Sequence, residues 1–266
     1  MKTLLLVLLT LPISLLADDV YTKDGKVHRG LALRIESGVV FGKHLAPRET
    51  QPQDVLIAAN QIERIVFLEP PALAEMRQAA YSGDADGVLE KNTTLIGEHR
   101  PWAEIAGNYW KDLMRAQVQA LYASGKNEEL QRLIQSWTPT GDGDLDDSVK
   151  LIAMRLNGAD KNAFLEICRK ATTGSPATLV AAIGWLELGH AAMAEKQWAA
   201  AVRHYLSVEV FASPWRLLLP EALLGAIRAC AANHQPAQAA LFAQDLRGEY
   251  PSAPQTARIN EALSGR

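Results

Sequence analysis

Five short turns recur along the chain, and their common register restricts the fold more than any other feature. The stretches "SGDAD", "SGKNE", "NGADK", "AEKQW" and "ANHQP" align so that Gly83, Gly125, Gly158, Lys196 and His234 share one position. Five residues later come Val88, Leu130, Ala163, Ala201 and Ala239, and the turns are 42, 33, 38 and 38 residues apart. Between them apolar residues recur at helical intervals. A single helix–turn–helix unit cannot bury its own apolar stripe, so repetition at this period predicts stacked hairpins. The expected fold class is α+β, mostly α: a helical-hairpin solenoid, degenerate over 70–172 and regular over 173–266, behind a smaller β region. Alanine is abundant from Ala171 onward, which suits closely packed helices.

The N-terminal part has another pattern. "MKTLLLVLLTLPISLLA" carries one Lys, a leucine-rich run from Leu4 to Leu16, and Ala17 before Asp18-Asp19. A short positive end, an apolar run and a small residue predict a signal peptide over 1–17, and hence an exported protein with the periplasm as its compartment. Leu15 stands where a small residue is preferred before cleavage, so a retained anchor is the alternative. From Asp18 to Glu69 apolar and polar residues alternate in five short runs, parted by Asp24-Gly25, Ser37-Gly38 and the stretch Pro47 to Pro52. That predicts a small five-stranded β-barrel over 18–69. The order of Asp24, Gly25, Gly30, Gly38, Ile57, Ile62 and Ile65 resembles the Sm-like or SH3-like barrels of exported bacterial proteins. Barrels of the Sm-like kind often bind RNA. Here seven Lys/Arg stand against eight Asp/Glu in the segment, and the whole chain has net charge -3, which leaves no basic field for a phosphate backbone. The expected role of this part is to pack on and finish the helical region. Pro70-Pro71 marks the boundary, since proline suits a first helical turn and not a central strand.

The most regular unit is "WLELGHAAMAEKQWAAAVRHYLSV", Trp185 to Val208. Trp185, Leu188 and Gly189 form W-x2-L-G, followed by Ala201, Tyr205 and Val208. It resembles a tetratricopeptide repeat, and the next unit is similar through Ala239, Leu246 and "YPSAP" with Pro251. Ala192 and Cys230 depart from the aromatic usual at their positions, and "FASPWRLLLP" is an insertion. The resemblance implies that Gly189 and Ala201 let two helices come close while Trp185 and Tyr205 fill the space around the contact.

Little in the sequence points to catalysis. His28, His44, His99, His190, His204 and His234 form no metal-ligand spacing, and His204 reads as a surface residue. Asp142, Asp144 and Asp146 alternate as in a calcium loop, but Asp147 and Ala153 replace the required Gly and Glu, so an acidic turn capping a helix from about Asp147 is expected. The nucleophile-elbow and phosphate-loop motifs are missing from the sequence. The chain is therefore expected to be no enzyme, with neither cofactor nor metal. Cys168 and Cys230 lie in apolar helical patterns and read as buried small hydrophobes, with a disulfide as the alternative.

What remains is a surface. The tetratricopeptide resemblance implies a concave groove lined by Arg115, Gln119 and Tyr122, by Ile152 and Arg155, by Leu186, His190 and Met193, and by Leu224 and Arg228. Arginines, a tyrosine, a methionine and a histidine suit an extended peptide or a helix. The expected function is a non-catalytic scaffold or adaptor of the cell envelope with a protein or peptide partner, no nucleic acid, and no membrane span after signal cleavage. The alternative is a peptidoglycan- or carbohydrate-binding module using Trp102, Tyr109, Trp110, Trp137 and Trp215 as stacking platforms.

Overall fold

A computed structural model describes residues 18–44 and 54–264. The expected signal peptide and the turn at Pro47 to Pro52 lie outside the described residues. The chain forms two compact units, one of Met1–Pro70 with His99–Trp110 and one of Pro71–Glu98 with Lys111–Arg266. No helix among the described residues is long and apolar enough to cross a membrane.

The first unit holds β1 (Asp18–Thr22), β2 (Val27–Glu36), β3 (Val39–His44), β4 (Asp54–Ala58) and β5 (Ile62–Val66), all antiparallel, in the order β4-β3-β2-β1-β5. Ser37 and Gly38 both take positive φ, 49° and 76°, the two-residue turn whose twist matches a β-hairpin. Alternation along the strands buries Val20, Leu31, Val40, Ile57, Ile62 and Ile65 on one face. The five strands are present, but the sheet is not closed into the expected barrel. The reason lies at β5: its outer edge is used by Ala106, whose carbonyl accepts from the Ile65 N–H at 2.9 Å. Trp102 and Ile105 of the same segment complete the core. A sheet capped in this way cannot pair β5 with β4.

The second unit is helical. Its elements are α1 (Pro71–Tyr81), α2 (Ala85–His99), α3 (Trp110–Ala123), α4 (Asn127–Gln135), α5 (Gly143–Leu156), α6 (Lys161–Gly174), α7 (Leu179–Ala194), α8 (Trp198–Phe211), α9 (Leu219–Ala232), α10 (Pro236–Glu249) and α11 (Ile259–Leu263), of which the terminal residues His99 and Trp110 belong to the first unit. The five aligned turns share one backbone form. Gly83, Gly125, Gly158, Lys196 and His234 all adopt left-handed φ between 55° and 78°. Each turn makes the same two hydrogen bonds: at the second, Gly125 N–H donates to Tyr122 O and Lys126 N–H to Leu121 O, both at 3.1 Å. This is the Schellman way of ending a helix, and it satisfies carbonyls that the next helix cannot.

Packing follows the order of the units. Helix α7 packs on α5, α6, α8 and α9, and α9 packs on α8, α10 and α11, an arrangement compatible with a helical repeat. Three helices come close together around Tyr205 of α8, which is 2% exposed. A Cβ on Gly189 of α7 would stand 2.6 Å from its ring, and one on Gly225 of α9 would stand 2.4 Å away. Two glycines thus let neighbouring helices close on one aromatic ring, while Ala201 and Ala239 are fully buried. Trp185 differs from expectation. It is only half-buried and lies against His204 and Phe211, with ring centroids 5.7 and 6.5 Å away. His204 is accordingly covered on one side by an indole and is not a free surface residue. Cys168 and Cys230 are buried free thiols, so the disulfide alternative is not realised. Burial, with the charge of Glu187, pushes Cys168 up to about 12.

Candidate functional site

Turn geometry builds the site. Tyr122 and Arg155 hold the same position in their units, three residues before the left-handed glycine, whose N–H each carbonyl accepts. They therefore project from corresponding places on α3 and α5, and the Arg155 guanidinium lies 4.7 Å over the Tyr122 ring. Helix α7 adds Glu187 and His190, one turn apart on one face. Glu221 comes from the first turn of α9, and Gln255 and Arg258 from the 3-10 turn Pro254–Arg258.

The polar contacts make a loop through these elements. Tyr122 Oη donates to Glu187 Oε1 at 2.6 Å, and Arg155 Nη1 stands 3.5 Å from the same oxygen. His190 bridges two carboxylates, with Nδ1 3.9 Å from Glu187 Oε2 and Nε2 3.5 Å from Glu221 Oε1. Gln255 Nε2 donates to Glu221 Oε2 at 3.3 Å and to the Ala123 carbonyl at 3.0 Å, which returns the loop to α3. Burial would lower His190, but the hydrogen bonds and charges of Glu187 and Glu221 outweigh it and raise the imidazole to about 9. Burial would raise both carboxylates, yet His190 chiefly holds them below their usual range, with Tyr122 and Arg155 helping at Glu187. Burial, with the Glu187 charge, keeps the Tyr122 phenol well above its ordinary value. At neutral pH the site therefore holds a protonated imidazole between two ionised carboxylates.

Beside this loop opens a cavity of about 270 Å³, lined by Tyr122 and the turn to Gly125, Arg155, His190, Glu221, Gln255 and Arg258. A larger cleft of about 450 Å³ lies in the sheet unit among Lys23, His28, Leu56 and Gln61. The smaller cavity is the better candidate, because groups from four helices converge on it with their charges already organised.

Of the residues expected to line a groove, Tyr122, Arg155 and His190 meet at this cavity. Ile152, Leu186 and Leu224 are at most 1% exposed and serve as core, as does Gln119 at 8%. Met193 is half-buried. Arg115 pairs with Asp142 and Asp112, and Arg228 with Glu261 at 3.4 Å. Among the residues that define the repeat, Leu188 is buried and Pro251 is exposed beside fully enclosed Tyr250. Glu187, Glu221, Gln255 and Arg258 were not anticipated. Glu187 carried one readable signal, its i,i+3 spacing to His190. The other three follow an insertion or lie past the last repeat, where register counting ends.

The acidic turn has other work. Asp142 caps α5 by accepting from Leu145 N–H, so the helix begins at Gly143 and not near Asp147. Asp144 accepts from the N–H groups of Leu179 and Val180, and Asp146 from Thr140 and the Trp137 indole. Comparison with family models, curated proteins and solved structures yields no match to this chain.

Proposed function

We infer that this protein is a non-catalytic scaffold or adaptor that holds a protein or peptide partner in the bacterial cell envelope. Its helical unit is read as a tetratricopeptide-like solenoid whose inner face carries the Tyr122–Arg155–His190 cavity. The observation that carries this reading is that convergence: three residues from three successive units, each expected in a groove, line one opening. The shared left-handed turns and the Gly189–Tyr205–Gly225 seam support the repeat assignment. The envelope location rests on the sequence of residues 1–17 alone. The sugar-binding alternative gains no support: Trp102 is core, and the Trp137 and Trp215 indoles donate to Asp146 and the Ala177 carbonyl.

The test is a steric block. Pro254 is exposed at the rim, and Pro254→Trp would put an indole over the opening. A partner captured from envelope extract by the wild-type chain should be lost with this variant at unchanged helicity. Capture that persists with the rim blocked removes the cavity as the binding face.

A further inference from the structure

The charges around the cavity are not evenly placed. Glu187 is recessed, its side chain 8% exposed, and is engaged by Tyr122, Arg155 and His190. The Glu221 side chain is 22% exposed and is engaged by His190 and Gln255. The cations lie further out: Arg155 is 28% exposed in its side chain, His190 37%, and Arg258 is an exposed residue. Arg258 acts on Glu221 through its charge but forms no hydrogen bond or ion pair within 4 Å to a described residue. With His190 protonated, three cations face two carboxylates, so the cavity carries one uncompensated positive charge at its mouth.

We propose that this cavity takes an acidic side chain of the partner, an Asp or Glu carboxylate received between Arg258 and His190 with Arg155 behind. The proposal rests on the reading of this face as the binding face and names what it recognises. A carboxylate entering here meets Arg258, which has no partner among the described residues to give up, and the charges of Arg155 and His190, which Glu187 and Glu221 hold in place, so little reorganisation opposes it. The half-enclosed setting strengthens the attraction over that of a surface pair. A volume of about 270 Å³ has room for one side chain and not for a helix. Recognition is therefore of one acidic residue in an exposed segment. The partner carboxylate also meets an imidazole that stays protonated to about pH 9, so binding should hold through neutral pH and weaken as pH passes that value.

The probe is an acetylated, amidated tripeptide with a central Asp, titrated calorimetrically into the full chain at pH 7, beside its Asn counterpart, succinate and inorganic phosphate at matched ionic strength. The Asp peptide should bind at least about tenfold more tightly than the Asn peptide, the scale of one charge-assisted contact. Arg258→Gln, on an exposed side chain, and His190→Gln should each erase most of that difference. Arg228→Gln, paired elsewhere with Glu261, should leave it intact. Equal affinity for both peptides overturns the proposal, as does a preference that survives both variants. Binding of succinate or phosphate without the Asp peptide overturns it in favour of a free anion. If Pro254→Trp abolishes partner capture and Arg258→Gln does not, the face stands and the acidic contact falls. If neither variant affects capture, the face itself is wrong.

Discussion

Gly225→Ala adds a single methyl group where α9 meets the ring of Tyr205. Its Cβ would stand 2.4 Å from Tyr205 Cζ and 2.6 Å from two other ring carbons, more than 1 Å inside ordinary carbon contact. The ring cannot slide away, because a Cβ-sized space on its other side is already closed at 2.6 Å from Gly189. Relief must come from spreading α7 and α9, and overpacking of this kind costs about 3 kcal/mol. Alanine returns about 1 kcal/mol of helix propensity, so the net loss is about 2 kcal/mol. For a chain of this size that lowers the melting temperature by about 4–8 °C. The control is Gly97→Ala in α2, where a Cβ meets nothing within 4 Å, and it should stabilise by about 1 kcal/mol. Far-UV circular dichroism during heating or in urea reads both. The reasoning is refuted if Gly225→Ala melts at or above the wild type. It is also refuted if the loss persists in a Tyr205→Leu background, since the clash requires the ring.

Three more outcomes follow from the same structure. Lys196 and His234 hold left-handed φ of 58° and 55° where three other turns use glycine, so either residue changed to Gly should raise stability by up to about 1 kcal/mol in a thermal melt. In the sheet unit, Gly107→Ala places a Cβ 2.0 Å from Ile65 O at a φ of 88°; it should release the segment from β5 at a cost of about 3 kcal/mol and shift the Trp102 fluorescence, while helicity persists. His190 is raised in the folded state to about 9 from an ordinary 6.5, so its contribution to stability is full below about pH 6.5 and is lost as pH rises through about 9. Urea midpoints across pH 6 to 10 should fall less in His190→Gln than in the wild type; equal slopes would remove the imidazole from the network.

Much of the helical unit was legible because its restraints are local. A left-handed turn after a helix needs glycine or tolerates a polar residue, and that preference stands in the sequence at Gly83, Gly125 and Gly158 whatever packs nearby. The contact of Gly189 with Tyr205 was readable for the same reason, as part of a repeated unit. Gly225, the other wall around that ring, was not singled out because it belongs to the following unit. Trp185 was assigned to the seam by resemblance, but its place on α7 turns it toward His204 and Phe211. By resemblance Arg115, Arg155 and Arg228 were expected together in one groove. Their partners, Asp142 for Arg115, Glu187 for Arg155 and Glu261 for Arg228, are 27 to 33 residues away and left no mark at local spacing.

The sequence by itself determined the succession of strands and helices, the turn positions and the small residues of the seam, since each depends on backbone preference or on spacing within a few residues. Tertiary structure alone decided two things. It left the sheet open, because Ala106, some forty residues past β5, uses the strand edge that a barrel would need. It also converted an expected open groove into a charged cavity, because the chain after the last hairpin returns Gln255 to Ala123 and Glu221. Both come from contacts far apart in the chain, where a buried hydrogen bond or ion pair is fixed by which groups the fold brings together, and neighbouring residues do not record that.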